Sequence, residues 1–142
     1  MNYEFTALTD SVSLMELYEI YRHCMYMPTK EKFIKQYKSW CANKNIKIYM
    51  AVYQGKLVGV IVILLEENRS AEIIGISVAE DFRNRGVGSY MIKKIREKHS
   101  IERIYAETDN DAVGFYRRTD FEVVEKIKTV PNTYRYLFTL VL

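Results

Sequence analysis

Residues 73–91 read Ile73-Ile74-Gly75-Ile76-Ser77-Val78-Ala79-Glu80-Asp81-Phe82-Arg83-Asn84-Arg85-Gly86-Val87-Gly88-Ser89-Tyr90-Met91. An apolar run of strand character passes through a short polar bend into a basic glycine loop and then into a helix start. That order of parts builds an anion site. Loop N–H groups and the first helical turn converge on one point, and both favour negative charge. Gly86 and Gly88 lack a Cβ, so a ligand can approach the main chain there. Arg83 and Arg85 add charge, and a guanidinium fork suits phosphate oxygens.

The spacing is Arg-x-x-Gly-x-Gly. It is not the dinucleotide fingerprint, because position 91 is Met where a third glycine would stand. It is not a P-loop either, since no Gly-Lys-Ser/Thr follows. Taken alone, the loop is also compatible with a plain strand-to-helix turn carrying two solvated arginines.

Further along, residues 106–121 read Ala106-Glu107-Thr108-Asp109-Asn110-Asp111-Ala112-Val113-Gly114-Phe115-Tyr116-Arg117-Arg118-Thr119-Asp120-Phe121. With Arg83-Asn84-Arg85-Gly86-Val87-Gly88 this gives two motifs in fixed order, which together resemble the two signatures of the GNAT N-acetyltransferase family. The motifs and the elements around them cover about half the chain, and the remainder is compatible with that fold. Asp120 stands where the family usually has glycine; Asp is among the residues that best tolerate a left-handed backbone.

The resemblance implies acetyl-CoA as co-substrate, with its pyrophosphate held by main-chain N–H groups of Arg83, Asn84, Arg85, Gly86, Val87, Gly88 and Ser89. It also implies cofactor contacts from Ile76, Ser77 and Val78. There the main chain of Ile76 and Val78 would pair with the pantetheine, and a backbone N–H would polarise the thioester oxygen. Asn110 would lie near the pantetheine, although it reads equally as the cap of a short helix. Tyr116 is the candidate general acid, since a phenol of pKa about 10 can protonate a thiolate whose own pKa is about 8.5. Glu72 is the candidate base by the same resemblance, and an exposed strand-end carboxylate by the residues alone. Glu66 and Glu107 are weaker candidates. Direct transfer to an amine in a ternary complex is expected, because neither Cys24 nor Cys41 lies near either motif in sequence. The alternative is a non-catalytic acyl-CoA-binding module of the same fold. Tyr21, His23, Met25, Tyr26, Met27, Tyr134 and Tyr136 are candidates to line the acceptor side, and all read equally as ordinary packing.

Length and composition bound the rest. A chain of 142 residues is expected to form one domain, 1–142, with a substantial core. The net charge of +3 comes from interleaved acidic and basic residues, which argues against a nucleic-acid partner. Apolar runs are too short to span a bilayer and the N-terminus has no signal pattern, so a cytoplasmic location with no membrane partner is the expectation. The two cysteines have no metal-ligand or Cys-x-x-Cys spacing. They read as free, mostly buried thiols, and no metal ligand set is expected. A small-molecule or peptide amine is the expected substrate, and a homodimer is left open.

Periodicity predicts strands at 2–7, 46–53, 57–66, 70–78, 102–108, 122–128 and 133–142. Helices are predicted at about 13–24, 29–41, 87–98 and 111–118. Ser13-x-x-Glu16 fits a capping box. The apolar run in 70–78 suggests burial on both faces. Hairpins followed by strand–helix–strand–helix–strand predict an α/β fold: a mixed, mostly antiparallel sheet with helices on both faces. A splay between the central strands is what the family resemblance adds.

Overall fold

The computed structural model describes residues 2–108, 122–130 and 133–141. The strands are β1 (Glu4–Ala7), β2 (Ile46–Tyr53), β3 (Lys56–Glu66), β4 (Ser70–Val78), β5 (Arg103–Thr108), β6 (Glu122–Val130) and β7 (Thr133–Val141). The helices are α1 (Leu14–Tyr21), α2 (Lys30–Ala42) and α3 (Val87–His99). One sheet runs in the order β1-β2-β3-β4-β5-β7-β6. Neighbouring strands are antiparallel except β4 and β5, which are parallel. The expected mixed α/β sheet is therefore observed. The helix expected at 111–118 lies outside the described residues.

Local chemistry accounts for the element ends. Ser13 Oγ accepts the Glu16 N–H at 3.1 Å and donates to the Glu16 carboxylate at 3.2 Å, closing the start of α1. Thr29 Oγ1 accepts the Lys32 N–H at 3.1 Å and starts α2. Gln54 and Gly55 both have positive φ, the backbone a two-residue hairpin between β2 and β3 requires. Most boundaries shift by one or two residues, β6 for instance running on to Val130, and two shifts lie at the N-terminal end of the chain. The first strand begins at Glu4, and α1 ends at Tyr21, after which the chain tightens into a 3₁₀ turn over Arg22–Cys24.

The sheet separates two cores. On one side α3 packs Val87, Met91, Ile92 and Ile95 against Ile61, Ile63, Ala71, Ile73, Ile104 and Ala106. Gly59 of β3 makes this close: a Cβ there would lie 3.0 Å from the side chains of Met91 and Val87. On the other side α1 and α2 pack Leu17, Tyr18, Tyr21, Phe33 and Trp40 against Val60 and Val62. Phe33 is fully buried at the centre of this second core, in ring contact with Tyr18, Tyr21, Tyr37 and Trp40.

The expectation that β4 is buried on both faces holds in part: Ala71 and Ile73 are buried on the α3 side and Gly75 and Ser77 on the α1 side, and Ile74 is the exception. Burial alternates along the strand, and Ile74 is 37% exposed. An extra residue in β4 causes this: the register with β3 runs from Ile63↔Ile73 to Val62↔Gly75, skipping Ile74. The cysteines are free as expected, but both residues are exposed rather than buried.

Two stability predictions follow from these contacts. Phe33→Ala should cost about 3–5 kcal/mol in urea unfolding, the range for deleting a fully buried aromatic ring. The second concerns His99, whose Nε2 is 2.7 Å from the Tyr49 hydroxyl. Partial burial, then the charges of Lys98 and Lys47, hold His99 below its usual pKa. The unfolded chain therefore binds that proton more readily. The contribution is present above the ordinary histidine range and is lost as pH falls through it toward the lowered folded value. The melting temperature should fall between pH 7.5 and pH 5, and the fall should be smaller in His99→Gln, as scanning calorimetry would measure.

Candidate active site

The site is built on a fork in the sheet. β4 and β5 pair at Ser70↔Arg103, Ala71↔Ile104 and Glu72↔Tyr105 and then part, although β4 runs on to Val78 and β5 to Thr108. The extra residue at Ile74 bends and twists β4 just past the last pair. β5 is held on its other side by β7, from Arg103↔Val141 to Thr108↔Tyr136, and cannot follow. Because the two strands are parallel, the fork opens toward their C-terminal ends. That is the end from which the basic glycine loop leaves β4, the usual place for a ligand in a sheet of this kind.

The bulge also reassigns the faces of β4. Ahead of it, Ala71 and Ile73 belong to the α3 core. Past it, Ile76 and Val78 pack on that core, while Gly75 and Ser77 turn toward α1. Ser77 is buried and its hydroxyl donates to the Ile20 carbonyl at 2.6 Å. Its side chain thus ties α1 to β4, leaving only its main chain for a ligand. A Cβ at Gly75 would overlap the Tyr21 hydroxyl.

The loop is shaped for main-chain contacts. Gly86 has φ 78° and ψ 11° at the N-terminus of α3, and no side chain caps that helix. Asn84 also has positive φ, at 62°. Arg83, Asn84, Arg85, Gly86 and Ser89 are exposed, whereas Val87 and Gly88 are buried beneath them. Among the described residues nothing lies within 4 Å of where a Gly86 Cβ would be, so they leave the approach to the loop open. The loop is braced from below. Arg83 Nε donates to the Val78 carbonyl at 3.2 Å, and the Tyr3 hydroxyl donates to the Arg85 carbonyl at 3.2 Å. The Arg85 guanidinium lies 5.4 Å from the Phe82 ring centre. An uncapped helix start, two exposed arginines and open space over Gly86 fit an anionic group such as a pyrophosphate.

Glu72 stands at the base of the fork, half-buried, beside Tyr105. The Tyr105 phenol is pushed well above its ordinary pKa by burial, by a hydrogen bond with Glu66, and by the charges of Glu66 and Glu72. The Arg103 guanidinium, 5.6 Å from its ring centre, opposes this. The fork base thus holds a neutral phenol between two carboxylates. Tyr105 was not legible as a site residue, because one alternating tyrosine among twelve gives no signal without its cross-strand partner.

The sequence expectation that neither cysteine approaches the motifs is corrected for Cys24. Its sulfur donates to the Tyr21 carbonyl at 3.2 Å and is hydrogen-bonded to the Tyr21 side chain and the Ile76 main chain. The residue is exposed as a whole, but its sulfur is turned inward against β4, and desolvation there pushes the thiol up to about 12. Among the candidate acceptor-side residues, Tyr21 is buried and Met25 half-buried, while His23, Tyr26 and Met27 are exposed. Asn110 and Tyr116 lie outside the described residues. Among the described residues no three His, Cys, Asp or Glu side chains group as metal ligands, and no helix is long and apolar enough to cross a membrane.

A forked sheet with a glycine loop at the mouth of the fork defines an α/β protein with a ligand gap between two parallel strands. The chain belongs to the acetyltransferase (GNAT) family, whose model matches residues 14–121. It is 29% identical over 116 residues to an uncharacterised N-acetyltransferase of Methanocaldococcus jannaschii, covering 72% of this chain and 51% of that protein. It is 28% identical over 81 residues to one of Chlorobaculum tepidum, covering 55% of this chain and 51% of that protein. Matched regions thus span about half the length of these curated relatives. Among solved structures, it resembles a GNAT family acetyltransferase from Elizabethkingia anophelis with acetyl-CoA bound. There the TM-score is 0.72 and the identity 22%, with 99% of both chains covered. It also resembles an aminoglycoside 6'-N-acetyltransferase complexed with coenzyme A, with TM-score 0.80, 13% identity, and 97% of this chain and 96% of that one covered. At these identities the likeness establishes the fold.

The Gly86 backbone yields a prediction independent of any ligand. Gly86→Ala should lower stability by about 1 kcal/mol in denaturant unfolding, from the left-handed φ alone, since the space around it is open.

Proposed function

We propose that residues 1–142 form one acetyltransferase domain that moves an acetyl group from acetyl-CoA to an amine on a small molecule or a peptide. The observation that carries this reading is the edge of β4 past Glu72, which has no strand partner among the described residues and leads from the fork base to the glycine loop at Gly86 in a chain of the GNAT family. When bound, acetyl-CoA supplies an activated thioester. The chain's part is to hold it, polarise its carbonyl and move protons. Main-chain N–H groups of residues 83–89 hold the pyrophosphate, with Arg83 and Arg85 adding charge. The main chain of Ile76 and Val78 aligns the pantetheine along the β4 edge, and a backbone N–H there polarises the thioester oxygen. Asn110 contributes near the pantetheine.

Glu72 accepts the proton of the incoming amine. Its half-buried place at the fork base, next to a phenol kept neutral, supports this role. Tyr116 donates a proton to the departing thiolate. Transfer is direct within a ternary complex, where proximity supplies much of the rate. A Cys24 acyl-enzyme is disfavoured, because a thiol pushed up to about 12 holds little thiolate at neutral pH. The same reading puts the protein in the cytoplasm, without a nucleic-acid or membrane partner.

The test is thiol release from acetyl-CoA against polyamines, aminoglycosides, amino acids and peptides. One acceptor class should stimulate release. Gly86→Glu should abolish CoA binding by adding bulk and negative charge where the pyrophosphate sits, and wild-type affinity in that variant would remove the loop from the site. Tyr116→Phe should lower kcat about 10²–10⁴-fold, the range for losing a general acid, with cofactor affinity nearly unchanged. Binding of acetyl-CoA without release against every amine class would instead favour a non-catalytic acyl-CoA-binding module.

A further inference from the structure

The glycine loop lies past the C-terminal end of β4, so a ligand anchored there and running into the fork meets Val78 first, then Ser77, Ile76 and Gly75. With the thioester against Ile76, as the acetyl-CoA reading has it, the acyl end would fall near Gly75, short of the fork base at Glu72 and Tyr105. Two side chains crowd this point from the α1 side. The Tyr21 hydroxyl covers Gly75 so closely that no Cβ fits there, and the Cys24 sulfur is hydrogen-bonded to the Ile76 main chain beside it. Tyr21 has little room to withdraw. It is 4% exposed, and its ring is held by Trp40 at 5.1 Å and Phe33 at 5.9 Å between centres. The Ser77–Ile20 hydrogen bond fixes the same end of α1 on β4.

We propose that Tyr21 determines which acyl chain the protein accepts: its hydroxyl, seated on Gly75 and flanked by Cys24, closes the end of the fork to acyl groups longer than acetyl. The proposal rests on the acetyl-CoA reading, which puts the thioester against Ile76. A pocket closed by a braced aromatic ring excludes an added carbon because neither ring nor strand can yield without unpacking the second core. Removing the hydroxyl alone frees about the volume of one carbon directly over Gly75 while leaving the ring packing in place.

The test is calorimetric binding of CoA, acetyl-CoA and propionyl-CoA to the whole chain, which needs no acceptor. Wild type should bind propionyl-CoA roughly tenfold or more weakly than acetyl-CoA, the lower end of what a pocket achieves against one methylene. In Tyr21→Phe that gap should shrink to about threefold or less, with acetyl-CoA affinity kept. Tyr26→Phe, at a position 86% exposed, should leave the gap unchanged. If CoA and acetyl-CoA bind but wild type does not discriminate, or folded Tyr21→Phe discriminates as wild type does, the proposal is overturned and the acetyl-CoA reading stands. If neither CoA nor acetyl-CoA binds, both fall. If Tyr21→Phe does not fold, Cys24→Ala decides. It widens the same space from an exposed residue, so a narrowed gap supports the proposal and an unchanged one overturns it.

Discussion

The site depends on one extra residue in one strand. Ile74 has no partner of its own in β3, so β4 bends there, and its pairing with β5 stops at Glu72↔Tyr105. Without that bulge two parallel strands would continue side by side and satisfy each other's main chain, leaving no edge for a ligand to pair with. The bulge also reverses which residues face which core. This brings a glycine under Tyr21 and a serine under the end of α1, while Ile76 and Val78 return to the α3 core. Opening an edge and covering its rear with α1 are thus two results of one irregularity.

The rest of the molecule holds that irregularity in place. On one face, Gly59 lets α3 approach until Val87 and Met91 touch the sheet, which sets the height of the helix N-terminus and of the loop ahead of it. On the other, the cluster of Tyr18, Tyr21, Phe33, Tyr37 and Trp40 presses α1 and α2 onto the bent strand. Aromatic packing suits this task, because large rings contribute much apolar contact for few rotatable bonds. β1 reaches the same loop from the sheet edge. Tyr3 donates to the Arg85 carbonyl, and the Tyr90 hydroxyl donates back to the Tyr3 carbonyl at 2.9 Å. Main-chain N–H groups preorganised in this way need little rearrangement to receive an anion.

Electrostatics divides the fork by depth. The mouth carries Arg83, Arg85 and an uncapped helix start, all favouring negative charge. The base carries Glu66 and Glu72 beside the Tyr105 phenol, whose pKa burial first and then those carboxylates push up. Such a gradient favours negative charge at the mouth and positive charge at the base.

By itself the sequence determined the parts whose physics is local. The glycine loop, the capping residues, the hairpin turn and the strand and helix periods are set by neighbours within a few residues, and each element among the described residues stands within a few positions of where that pattern puts it. The glycine loop was legible for the same reason: its glycines, arginines and helix start are contiguous. What only the tertiary structure decided involves residues far apart in the chain. The bulge at Ile74 appears only against β3, because an apolar run has the same composition whether or not one residue is skipped. Tyr105 gains its role from Glu66 and Glu72 across two strands, and Cys24 reaches Ile76 only because α1 folds back over β4. Contacts of that kind arise from packing two cores against one twisted sheet, and no spacing along the chain encodes them.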